Sequence, residues 1–268
     1  MKETAIFCLL VSLFACSGDT KKNTNTELDK TTNNSTKIET FLQRQAPQEA
    51  IKLKIGFKLY DDEPLEQEPY IVDKLNAISD SLFSKYGIAK ESDTIMVHVW
   101  RNYDAFLEDQ LTLTGTQFPG SGGYIFSPTD LALLYSEDIA NVAEHEFVHA
   151  SSLSINDQLG HESRWLWEAF AIYEADELIH PKNLGYLRDG KFPSIAELNG
   201  EFDGAGANRI YQVGYVLSEF VVETWGSEKY LELIQESADL EKVLSMTTEE
   251  FEIKWQKFVK EKYLAGQI

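Results

Sequence analysis

The sequence predicts an α+β fold in which a small mixed sheet precedes a mainly helical C-terminal half. Three observations point there. Residues 50–60 alternate, with Ile51, Leu53, Ile55, Phe57 and Leu59 on one side and Lys52, Lys54 and Lys58 on the other, the period of a half-buried strand. Thr94–Trp100 and Leu131–Tyr135 are two further short apolar runs, interleaved with helical patterns. In the C-terminal part, apolar residues recur mostly at three- and four-residue spacing, the period of packed helices.

The chain has 268 residues, 43% of them hydrophobic and 25% charged, enough for one sizeable domain or two small ones. A net charge of −20 argues against nucleic acid as a partner and against electrostatic binding to anionic lipid. Both cysteines, Cys8 and Cys16, fall in the first sixteen residues. Lys2 followed by the apolar run Thr4–Ala15 is the pattern of a secretory leader, too short to span a bilayer as a stable helix. Leu13-Phe14-Ala15-Cys16 resembles the bacterial lipobox. That resemblance implies removal of residues 1–15, lipidation of Cys16 and attachment to an extracytoplasmic membrane face. Ser17, standing where an aspartate would retain the protein at the inner membrane, points to the outer one. Residues 16–48 are rich in Thr, Asn, Lys and Ser and cannot bury a core, so they read as a flexible tether. Residues 49–268 then form the folded domain.

Within it, Ile71, Leu75, Ile78 and Leu82 recur at helical spacing and Gly87 supplies a stop. Thr94–Trp100 is the second strand, and its His98 reads as a structural or surface histidine. A helix follows over about 102–111. Residues 115–129 are glycine-rich without a phosphate-binding pattern, and read as a loop into the strand Leu131–Tyr135. A helix over 139–151 and another over 163–177 flank a polar connection containing His161. Residues 181–206 read as an irregular excursion around a short helical turn at 194–198. Ile210, Val213, Leu217, Phe220 and Val221 form a core stripe ending at Gly226. Ser227 and Thr247 are expected N-caps, the latter with Glu250 as a capping box. Phe251, Trp255 and Phe258 read as packing residues of the last helix.

The chemistry concentrates in His145-Glu-Phe-Val-His149. Two histidines four residues apart on a helix project from one face and can reach one metal ion, while Glu146 stands beside a metal-bound water rather than as a ligand. Glu168 sits in the middle of a helix that is apolar almost all round. A buried carboxylate needs a cation or strong donors. Zinc is one such cation; an ion pair with Arg164, in the weaker order along the helix, is the alternative. Two histidines, one carboxylate and an open fourth position make a catalytic zinc site. Non-haem iron is set aside because the histidines lie on a helix, not on barrel strands.

His145–His149 followed after eighteen residues by Glu168, within Trp-Leu-Trp-Glu-Ala-Phe-Ala, resembles the gluzincin metallopeptidases at the spacing of the aminopeptidase N family. Residues 50–263 are similar to the small bacterial peptidase MA-like domains, with which they share Phe192-Pro-Ser-Ile-Ala-Glu-Leu198. The metzincin pattern is excluded, since its third histidine would fall on Ile155. The resemblance implies a thermolysin-like domain, a Zn2+ cofactor held by His145, His149 and Glu168, and Glu146 as general base. It also implies that Tyr211, in Tyr211-Gln-Val-Gly214, stabilises the oxyanion, with Tyr215 as its competitor. The partner would be a peptide or protein substrate, pairing with an edge strand at Leu131–Tyr135. Gly122-Gly-Tyr-Ile-Phe126 replaces the family's Gly-x-Met-Glu-Asn run, whose glutamate holds a free amine, so endopeptidase action is favoured over aminopeptidase action. A zinc-containing surface lipoprotein acting as a binding module is the alternative from another class. Partners of the histidines beyond the metal cannot be named from spacing; Glu144, Glu174 and Asp176 are the candidates.

Overall fold

A computed structural model describes residues 52–88, 94–200 and 207–265. The expected leader, the lipidation residue Cys16 and the tether over 16–48 lie outside the described residues. The described chain is mixed α+β, with a four-stranded sheet and eleven α-helices among the described residues. None of those helices is long and apolar enough to cross a membrane.

The sheet comes first. Strands β1 (Lys54–Leu59), β2 (Thr94–Trp100), β3 (Gly123–Ser127) and β4 (Asp130–Leu134) are ordered β1-β2-β4-β3. β1 runs parallel to β2 and β2 parallel to β4, while β3 returns antiparallel to β4 with an irregularity between Ile125 and Ser127. This corrects the sequence reading. The edge strand is β3, inside the glycine-rich stretch expected to be loop, and β4 is interior.

Strand alternation sorts the two sheet faces. Ile55, Phe57, Leu59, Ile95, Val97, Val99, Leu131 and Leu133 turn inward onto the main core. Helices α1 (Glu68–Tyr86) and α3 (Ile139–Leu153) pack together on that face. On the opposite face α2 (Tyr103–Thr114), capped by the Asn102 side chain, covers a small cluster of Trp100, Phe106, Tyr124 and Ala132. Gly87 closes α1 in the left-handed conformation, where the sequence places a stop.

The polar connection after α3 holds one short helix, α4 (Leu159–Glu162), whose His161 is exposed. α5 (Arg164–Glu174) is buried on nearly every side. The excursion contains α6 (Gly185–Arg188), unanticipated, and α7 (Ile195–Leu198), which Ser194 and Glu197 close with a capping box. It also caps α5, since Asn199 Oδ1 accepts the Trp165 N–H at 3.2 Å. α8 (Ile210–Trp225), α9 (Ser227–Gln235), α10 (Leu240–Leu244) and α11 (Thr248–Tyr263) complete the domain. Thr247 and Glu250 form the expected capping box of α11. The expectation for Ser227 is corrected: Gly226 occupies the cap and Ser227 is the first helical residue. Phe251 and Trp255 are buried core residues, and Phe258 packs against them.

Candidate metal centre

α3, α5 and α8 bring the chemical residues together. α3 carries His145 and His149 on one face with Glu146 next to them, and α5 crosses beside it with Glu168 at its middle. Gly214 sets the approach of α8 to α5. A Cβ there would stand 2.8 Å from Ile172 Cδ1 and 3.2 Å from the Ala169 Cα, so any side chain would push the helices apart. One turn before Gly214, Tyr211 thereby reaches Glu168, donating its hydroxyl to Oε1 at 3.0 Å. This is a packing reason for the Tyr-x-x-Gly spacing. Tyr215, the competitor, turns elsewhere: its ring packs on Tyr173 at 5.1 Å, and its hydroxyl, whose pKa burial raises, is close enough to Asp176 for that charge to raise it further.

His145, His149 and Glu168 each present one ligand atom within 4.8 Å of the others. Glu168 Oε2 lies 3.7 Å from His145 Nε2 and 3.5 Å from His149 Nε2. It is buried and has no hydrogen-bond partner among the described residues, the condition in which a carboxylate oxygen is most costly. Two ligands about 2.1 Å from one tetrahedral ion stand roughly 3.4 Å apart, so the two glutamate–histidine separations are those of zinc ligands. The alternative of a private ion pair is not what Arg164 makes of its position: the guanidinium donates to the Leu198 carbonyl at 3.2 Å and to the Tyr211 hydroxyl at 3.5 Å.

The surroundings hold both imidazoles. His149 packs its ring on Trp167 at 3.9 Å, and the Trp167 indole N–H donates to Ser152 Oγ at 3.0 Å. His145 Nδ1 lies 3.2 Å from both carboxylate oxygens of Glu177. None of the three acidic candidates named from sequence takes that place. Glu144 pairs with Lys74, Glu174 accepts from Lys85 and Tyr86 at 2.8 and 2.7 Å, and Asp176 faces Tyr215.

Electrostatics follow from this crowding. Burial opposes the charge of Glu168, but His145 and His149 outweigh it and hold the carboxyl well below its usual range. Burial likewise pulls His145 down, yet Glu168 and Glu177 raise it well above an ordinary imidazole. His149 is lowered, chiefly by burial. Burial pushes Glu146 up to about 7, with Glu168 and Glu177 adding to the rise. Glu146 lies under the sheet edge, where a Cβ on Gly123 would stand 2.7 Å from its Cγ and 2.9 Å from its Oε1. The edge strand therefore passes directly over the glutamate, and glycine is what allows it.

Compared with family models, curated proteins and solved structures, the chain gave no match in any of the three.

Proposed function

We propose that this protein is a zinc-dependent peptidase of gluzincin type, hydrolysing peptide bonds within chains. The observation that carries the reading is the convergence of His145, His149 and an unpartnered Glu168 Oε2, with Glu146 beside them on α3, close enough to feel the charges of His145 and Glu168, and the Tyr211 hydroxyl within 3.0 Å of Glu168. A structural zinc needs neither a general base nor an oxyanion donor beside it. That favours an enzyme over a binding module.

When bound, zinc would supply an activated water and polarise the scissile carbonyl. The chain's own residues do the rest. Glu146 takes the proton from the attacking water and returns it to the departing amine. Tyr211 donates its O–H where negative charge develops on the carbonyl oxygen. The β3 register turns the peptide groups of Gly123 and Ile125 away from β4, because Gly122 accepts the Leu134 N–H. An extended peptide can pair there with little side-chain preference. We further infer attachment to a bacterial membrane through lipid on Cys16, on the strength of the Leu13–Cys16 pattern.

The test is cleavage of a peptide library, in end-blocked and in free forms, by the zinc-loaded full-length protein and by Glu146→Gln. The expected result is internal cleavage that falls by about 100-fold or more in the variant while zinc content is kept. Equal turnover by both proteins would remove Glu146 from the mechanism. Cleavage only of peptides with a free amino terminus would make the enzyme an aminopeptidase.

A further inference from the structure

The turn that ends α5 has an unusual residue at its tightest point. Asp176 adopts φ 55, a left-handed conformation that glycine ordinarily supplies at a helix C-terminus. The hydrogen bonds are those of a Schellman turn. Asp176 N–H donates to the Tyr173 carbonyl at 3.3 Å and Glu177 N–H to the Ile172 carbonyl at 2.9 Å. Aspartate is one of the few side chains that visits this conformation, and most others are strained there. Here the ring of Tyr215 from α8 packs at 5.1 Å on Tyr173, the residue whose carbonyl accepts the Asp176 N–H. The reversal delivers Glu177, which lies beyond the helix, back to His145 Nδ1 at 3.2 Å.

We propose that this turn is a positioning device: Asp176, left-handed in the Schellman turn, carries Glu177 onto His145 Nδ1 and so commits Nε2 of that ring to the side facing His149 and Glu168. Glu177 and Asp176 are positioning residues, acting through His145. The consequence for zinc affinity rests on the zinc-site reading above. The orientation of the imidazole does not.

The test uses the full-length protein and the variants Glu177→Ala, Asp176→Val and Asp176→Gly. Two quantities are read: zinc affinity against a competing chelator, and the His145 Nδ1–H proton resonance with and without added zinc. Glu177 is partly exposed, with 36% of its side-chain surface accessible, so its truncation tests the contact without opening the core. The resonance is expected to be lost in Glu177→Ala and zinc affinity to fall about 10- to 100-fold. Asp176→Val, whose branched side chain disfavours the left-handed conformation, should shift both in the same direction by less. Asp176→Gly, which adopts that conformation freely, should leave both as in the wild type. A wild-type resonance and affinity in Glu177→Ala would overturn the proposal. So would an effect in Glu177→Ala with none in Asp176→Val, which would leave the turn without a part. If the wild type takes up no zinc, the zinc reading fails, and the resonance alone still decides the positioning claim.

Discussion

The domain holds two histidine–carboxylate groupings on opposite faces of its sheet, and they are built differently. On the outer face, His98 has both nitrogens occupied: Nδ1 lies 3.1 Å from the Tyr60 hydroxyl and Nε2 3.0 Å from Asp130 Oδ1. Asp130 is itself saturated, since Oδ2 accepts from Ser127 at 2.6 Å and Thr129 at 3.1 Å. Tyr60 stacks on Trp100 at 4.1 Å and closes the network from outside. On the inner side, the Nε2 atoms of His145 and His149 and one Glu168 oxygen face one another at ion-ligand spacing, and that oxygen has no hydrogen-bond partner among the described residues. A polar network that serves the fold satisfies its own groups. A set that serves a metal holds its donors together short of contact. The closed network reads as structure and the open one as a site, although the residue types are the same.

This contrast can be broken or sharpened by substitution. The largest effect is expected from Tyr211→Phe, which should lower kcat for peptide cleavage by about 100- to 1000-fold while zinc stoichiometry is unchanged; steady-state kinetics beside elemental analysis would show it. Gly123→Ala should come next. Its Cβ would meet both Glu146 and Val142 Cγ1 at 2.9 Å or less, so thermal unfolding should register a loss of about 1–3 kcal/mol, with cleavage impaired as Glu146 is displaced. His98→Ala should behave in the opposite sense to any ligand variant, losing stability of about 1–3 kcal/mol by leaving Asp130 short of a partner, with zinc binding as in the wild type. Zinc loss in His98→Ala would erase the distinction between the two groupings.

The smallest effect is a dependence on acid. Burial opposes ionisation of Asp130, but hydrogen bonds from Ser127, His98 and Thr129 prevail and lower its pKa. A depressed carboxyl contributes stability above its unfolded value of about 3.9 and loses it as pH falls through the folded value. Asp130→Asn should therefore be less stable than the wild type at neutral pH. Its deficit should shrink below about pH 4 in acid-titrated denaturation curves.

Local pattern made much of this legible. Four-residue spacing places His145 and His149 on one helix face, and the apolar company of Glu168 marks a carboxylate that burial has to justify; the structure brings these residues and Tyr211 together. The alternation of Ile55, Phe57 and Leu59 and the Thr247–Glu250 capping box are local as well. What escaped was decided at a distance. β3 reads as loop because Gly122 and Gly123 lack strand propensity, yet Gly123 is required by a helix that follows it by more than a dozen residues. Glu177 falls past the end of α5, and only the left-handed turn at Asp176 returns it to His145. No periodicity encodes that reversal. Glu174 and Glu144 were plausible from spacing, but Lys85, Tyr86 and Lys74 on α1 engage them first.

The measurement closest to the central claim is zinc content of the purified full-length protein, wild type beside Glu168→Ala and His98→Ala, by elemental analysis after equilibration with zinc and removal of excess. About one zinc per chain is expected in the wild type and in His98→Ala, and almost none in Glu168→Ala. A wild type that holds no zinc, or a Glu168→Ala protein that keeps it, would contradict the site as it is described.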